Sequence, residues 1–291
     1  MYGFIFRTVP LSLFNIIRLF LFVVCLFPGF LRFAWYYFIV SDRVSVRYGN
    51  ESIRQRIDVY RSCEIPVSSR QREGQGPLLS RVEDDLGLEV KECRSNAPVL
   101  VFYTGGAWMI GYKMWGTLLA RALTATGIVV VIPDMRNYPL VDIPHMVEDV
   151  DLALDWTVKN IAQYGGDPKN IVVVGQSAGG HVACMAIFRK IRRKIARENA
   201  IAAAEEGLTG EKRDEELKRI MEDEKSTTGE WMPFDLKGFA AVSSPLNLGS
   251  ELITESFRRQ GFDDHMVDRM FGFEKDMYGV SSPLYLHTYT V

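Results

Sequence analysis

A chain of 291 residues, 47% hydrophobic and 24% charged, can bury a full core and suits one α/β domain plus an appendage, which excludes a disordered tail. A formal net charge of −2 supplies no general electrostatic reason to bind nucleic acid, so no nucleic-acid partner is expected. The four cysteines, Cys25, Cys63, Cys93 and Cys184, lie far apart without C-x-x-C spacing, so neither a zinc site nor a disulfide framework is indicated.

From Thr8 to Val40 the chain is almost entirely apolar or aromatic, interrupted by Arg18, Arg32 and the Pro28-Gly29 pair. The uncharged run from Leu19 to Leu31 is shorter than the roughly 20 residues of a spanning helix, but Arg18 and Arg32 can snorkel to the headgroups and extend it. No small-residue cleavage site follows, so a membrane anchor is expected over residues 1–43, either a tilted span or a hairpin turning at Pro28-Gly29. A cleaved signal and a soluble hydrophobic cap are the alternatives. Arginines on both flanks leave the orientation open.

The remainder, 44–291, reads as one domain. Val44 to Tyr48 and Arg56 to Tyr60 alternate polar and apolar residues around a Gly-Asn turn, as an edge hairpin would. Residues 63–96 are polar and read as a long surface loop. Val99 to Tyr103 is a buried-strand run that ends in Thr104-Gly105-Gly106-Ala107-Trp108, where a glycine pair lets backbone N–H groups turn toward a ligand without Cβ obstruction. Lys113 to Thr126 predicts a helix with Leu118, Leu119 and Leu123 on one face, and Gly127 to Arg136 another buried strand. Asp134 and Arg136 are expected to form an ion pair bracing the loop that follows. Pro144 opens a helix in which Val147, Val150, Leu154, Val158 and Ile161 recur at helical spacing, and Gly165-Gly166-Asp167-Pro168 closes it.

Next comes IVVVGQSAGGH, residues Ile171 to His181, an apolar β-branched run breaking into Gly175, Gln176, Ser177, Ala178 and Gly179. This is a G-x-S-x-G pattern between a strand and a helix. A serine on such a turn sits in strained backbone geometry, and its neighbours two positions away must be nearly atomless. The turn would lift the Ser177 hydroxyl above the sheet edge as a nucleophile, with the Ala178 N–H at the helix start aimed where an oxyanion forms. Gly106 and Ala107 would supply the other half of that oxyanion hole. His181 follows Ser177 by about one helical turn and is directed away from the crevice, so it reads as a packed histidine and not as the base. Residues 189–230 carry a basic run and then an acidic one, and read as a charged helical insertion, with a lipid-touching cap as the functional alternative. Leu236 to Ser243 is a sixth strand. Strands alternating with helices predict a mostly parallel, doubly wound sheet, with Thr104 and Ser177 together at the carboxyl ends of strands.

With those residues assembled, the chain resembles the α/β-hydrolases of the lipase and esterase type, and among them the membrane-bound isoprenylcysteine methylesterases. The resemblance rests on LFPGFLRFAWYYF, TGGAWMIGYKMWG, PDMRNYP, YGGDP and GQSAGGH. It implies an α/β-hydrolase fold and hydrolysis of prenylcysteine methyl esters or other esters at endoplasmic reticulum or Golgi membranes, without a cofactor or metal. It also implies Ser177 as nucleophile and Gly106, Ala107 and Ala178 as oxyanion donors. Trp108, Met109, Ile110 and Trp115 are candidates to line a prenyl site, with core packing as the equal alternative. Such hydrolases carry an acid and a histidine after two further strands. The chain stops at Val291, so a C-terminally truncated product lacking those strands is expected. Asp263 or Asp264 with His287 satisfies the order formally, but none of them follows a strand-like run. A catalytically silent hydrolase-fold binding protein, and a soluble esterase or amidase of small substrates, are the competing readings.

Overall fold

The computed structural model describes residues 27–41, 43–62, 95–207, 210–227, 230–246, 255, 259, 269 and 270. The chain forms two compact units, Met1–Asp42 and Arg43–Val291. In the first, residues 27–35 are α-helical and run into a π-helical turn, Tyr36–Val40, closed where the Ser41 N–H donates to the Tyr36 carbonyl at 2.8 Å. Phe30, Trp35 and Phe38 of this segment are exposed. Among the described residues no helix is long and apolar enough to cross a membrane, and most of the expected 1–43 anchor lies outside them.

The second unit is a six-stranded sheet in the order β1-β2-β4-β3-β5-β6, made by β1 (Arg43–Arg47), β2 (Arg56–Tyr60), β3 (Ala97–Tyr103), β4 (Val129–Pro133), β5 (Gly166–Gln176) and β6 (Leu236–Val242). The first two strands form the expected antiparallel hairpin, and β2 pairs antiparallel with β4. From β4 through β3 and β5 to β6 all pairings are parallel. The helices are α1 (Thr117–Thr124), α2 (Ile143–Asn160), α3 (Ala178–Gly207) and α4 (Glu211–Thr227).

Strand periodicity divides the core in two, because successive side chains of a strand face opposite sides of the sheet. Val99, Val101, Val129, Val131, Ile57 and Val59 point to one side, where Val147, Val150 and Leu154 of α2 and Val182, Ala183 and Ala186 of α3 cover them. Phe102, Val130, Ile132 and Tyr60 point to the other, where Ala120, Leu119 and Leu123 of α1 pack. The sheet is therefore doubly wound, as its alternating sequence predicts. The helix expected over 113–126 is shorter: Lys113–Gly116 is a 3-10 turn, and Leu118 points outward while Thr117 and Ala120 are buried in its place. The expected loop at 63–96 and the segment after 246 fall almost wholly outside the described residues.

Candidate active site

Tyr103 at the end of β3 lies opposite Gly175 near the end of β5, so the segments leaving these strands emerge side by side at the carboxyl edge of the sheet. Ser177 follows directly, with φ at +50°, a left-handed conformation that a residue with a Cβ adopts at a cost. That cost is offset by close fit. A Cβ on Gly175 would lie 2.3 Å from the Gly180 Cα, and one on Gly179 would lie 2.4 Å from the Thr104 carbonyl oxygen and 2.5 Å from that of Tyr103. Both positions of the G-x-S-x-G pattern are thus fixed by backbone running against backbone. The Ser177 N–H donates to the Val242 carbonyl of β6 at 2.9 Å, and its carbonyl accepts from the His181 N–H at 3.1 Å. The elbow is held from both sides while the serine stays partly exposed.

The second arm of the site is the loop after β3. Gly105 packs against the elbow so closely that a Cβ there would come within 3.0 Å of the Ser177 Cβ. Gly106, Ala107 and Trp108 then take positive φ values of 137°, 48° and 61°, and the Gly106 carbonyl accepts from the N–H groups of Met109 and Ile110, both at 2.9 Å. Among the described residues no hydrogen bond takes the N–H of Gly106, Ala107 or Ala178. Ala178 opens α3, a helix of 30 residues, so its amide lies at the positive end of the helix dipole. Unspent N–H groups on two neighbouring segments beside a lifted serine can stabilise negative charge on a carbonyl oxygen attacked there.

Behind the loop lies a network of buried charge. Arg54, on the turn between β1 and β2, donates to Asp134 at 2.7 Å and also to the Gly111 carbonyl. Asp134 accepts in addition from the Lys113 N–H at 3.3 Å. Burial pushes the Asp134 carboxyl up to about 6 despite Arg54 beside it. Arg136 meets Asp149 of α2, with its backbone N–H at 2.8 Å and its Nε at 3.0 Å, and also pairs with Glu51. The two residues expected to pair with each other therefore brace the loop through other partners. Lys113 reaches the fully buried Asp58 and donates to the Ser45 hydroxyl at 2.8 Å. Burial holds its ammonium below the usual value, against the pull of Asp58.

Asn137 was not singled out in the sequence, yet together with Trp108 it shapes the loop. The Asn137 side chain donates to the carbonyls of Met109 at 3.0 Å and Gly111 at 2.9 Å. Trp108 is buried, its carbonyl accepting from the Tyr138 N–H at 2.9 Å and its indole N–H donating to His181 Nδ1 at 3.3 Å. Trp108 packs into the core, as one of its two readings expects, whereas Ile110 and Trp115 are exposed. His181 is fully buried, as expected of a packed histidine. His145 is exposed on the first turn of α2 against Asp142, whose hydrogen bond raises its pKa. The candidates Asp263, Asp264 and His287, like His265, lie outside the described residues. Among the described residues no group of His, Cys, Asp and Glu side chains could hold a metal ion.

Comparison with known proteins agrees with this architecture. The family described as BD-FAE matches residues 85–217, a span that includes β3, the loop, the elbow and α3. A protein of Oryza sativa subsp. japonica named a probable isoprenylcysteine alpha-carbonyl methylesterase is 41% identical over 179 residues, 60% of this chain and 35% of that protein. The isoprenylcysteine alpha-carbonyl methylesterase of Arabidopsis thaliana is 36% identical over 175 residues, 60% of this chain and 34% of that one. The crystal structure of esterase B from Lactobacillus rhamnosis shares the fold, with a TM-score of 0.53 at 15% identity over 90% of this chain and 68% of that one. The fold is that of the α/β-hydrolases. The chain spans about a third of the length of the methylesterases it matches.

Proposed function

We propose that the chain is a serine carboxylic ester hydrolase acting on prenylcysteine methyl esters, anchored by residues 1–43 to endoplasmic reticulum or Golgi membranes. In this reading the Ser177 Oγ attacks the ester carbonyl, and the N–H groups of Gly106, Ala107 and Ala178 hold the resulting oxyanion. A histidine outside the described residues takes the serine proton and returns it to the departing methanol; His181 is not that base. The observation that carries the proposal is the left-handed Ser177 set against Gly105 beside three amides with no described partner. The names of the two methylesterase relatives supply the substrate class, and the apolar stretch before β1 supplies a reason for membrane contact. A prenylated ester partitions into the bilayer surface, where an anchored enzyme would meet it.

The test is release of methanol by the full chain in detergent or vesicles. A farnesylcysteine methyl ester should be hydrolysed with a higher kcat/KM than an unprenylated cysteine methyl ester, and Ser177→Ala should remove both activities. Equal rates on the two esters would reduce the proposal to a general esterase, and turnover that survives Ser177→Ala would remove the nucleophile.

A further inference from the structure

The loop that carries Gly106 and Ala107 is an unfavourable piece of backbone. Three successive residues hold positive φ, and two of them, Ala107 at 48° and Trp108 at 61°, bear side chains that disfavour this region. Such a conformation persists only where surrounding contacts over-determine it. Asn137 and Arg54 fasten the far end of the loop at Met109 and Gly111. Its near end, where the amides lie, is fastened at Trp108, and there a side-chain partner comes from the serine's own helix.

Two of the hydrogen bonds of His181 to described residues bear on the site. Its backbone N–H donates to the Ser177 carbonyl at 3.1 Å, and its Nδ1 accepts from the Trp108 indole N–H at 3.3 Å. The two rings meet edge to face, with centroids 5.6 Å apart and planes at 87°. Indole nitrogen is a donor only, so this bond requires Nδ1 to be unprotonated and the neutral ring to carry its proton on Nε2. Both side chains are withdrawn from solvent, Trp108 at 5% exposure and His181 at 0%. Water cannot substitute freely for either partner. One residue therefore ties the turn that lifts the serine to the loop that offers the amides.

We infer that His181 is a positioning residue of the ester-hydrolase site, its Nδ1 holding the Trp108 indole so that the Gly106 and Ala107 amides stay in register with Ser177. The inference rests on the hydrolase reading above. Losing the tether should leave substrate binding largely intact and slow the step in which the oxyanion forms, because misplacement of about 1 Å at a reacting centre can cost on the order of 100-fold.

The experiment uses the full chain and three substitutions. His181→Phe keeps a ring of similar size but deletes the acceptor, Trp108→Phe deletes the donor, and His181→Asn restores an acceptor, since Oδ1 and Nδ1 are both attached to Cγ. Second-order labelling of Ser177 by a fluorophosphonate should fall about 10- to 100-fold in both Phe variants. Ester turnover should show the loss in kcat with KM nearly unchanged, and His181→Asn should recover most of it. The two Phe substitutions combined should cost no more than either alone, since each removes the same bond. Wild-type rates in His181→Phe, a loss in His181→Asn equal to that in His181→Phe, or additive losses in the double variant would each overturn the inference. Heteronuclear NMR of the nitrogen-labelled parent chain reads the tether without activity and remains decisive if a variant fails to fold. It should show an indole N–H signal, assigned by its loss in Trp108→Phe, coupled to an unprotonated His181 Nδ1; a protonated Nδ1 would overturn the inference. A parent chain that shows the tether but does not label at Ser177 would overturn the hydrolase reading instead, and with it the catalytic consequence drawn for His181.

Discussion

Ala is ordinarily the better helix former, and replacing an exposed helical glycine with it gains about 1 kcal/mol. At Gly179 that preference reverses. The added Cβ would meet two backbone carbonyl oxygens at 2.4 and 2.5 Å, and neither belongs to a side chain that can rotate away. Relieving the overlap means pushing α3 off β3, and overpacking of this kind costs about 1–3 kcal/mol. Gly179→Ala should therefore lower the unfolding temperature and also retard modification of Ser177, since the same helix start carries the serine's neighbour Ala178. Thermal unfolding by circular dichroism, with a parallel fluorophosphonate time course, checks both; an unchanged or raised melting temperature would show that the two backbones can separate cheaply. By contrast, burial pushes the Cys184 thiol up to about 11, which makes this free cysteine a poor nucleophile.

Individual elements show where a sequence is readable and where it is not. Uninterrupted β-branched runs such as VVVIP in β4 announce buried strands, and every strand expected from such a run or from alternation is present within a few residues. The elbow could be read because its constraints are local: four neighbours in sequence make the turn. The braces could not. Arg54 and Asp134 are 80 positions apart, and Gln55 and Asp149 are 94 apart, so the residue types were visible but not their partners. The same limit explains Leu118, whose spacing fitted an apolar face while the geometry of the preceding 3-10 turn rotated it outward. Asp134 joins the β1-β2 turn, the start of the α1 segment and the end of β4, and it is the member of this brace that titrates near neutrality. Its pKa in the fold, about 6, stands above the ordinary 3.8, so the folded state binds more protons than the unfolded chain between those values. Its contribution to stability is then fully present below 3.8 and is lost as the pH rises through about 6. Relative to Asp134→Asn, the parent should gain stability as the pH is lowered across that window. Denaturant titrations of both proteins at several pH values check this, and a difference that is flat or grows with pH would contradict it.

At the scale of the whole molecule, the carboxyl edge of a parallel sheet gathers the loop after β3 and the elbow after β5, segments separated by about 70 positions but brought level by the pairing of Tyr103 with Gly175. The hydrolase fold and the place of the serine were thus legible from motifs alone, whereas the candidates Asp263, Asp264 and His287 and most of the apolar N-terminal stretch lie outside the described residues. If residues 1–43 anchor the chain, the full protein should remain in the membrane pellet through high-salt and carbonate washes; release by carbonate would reduce this stretch to a peripheral contact. Ser177 is a nucleophile prepared by its surroundings if treating the full chain with a fluorophosphonate and mapping the adduct by mass spectrometry finds it there. The modification should fall on Ser177 alone and vanish in Ser177→Ala. An adduct on another serine, or none on the unmutated protein, would contradict the account.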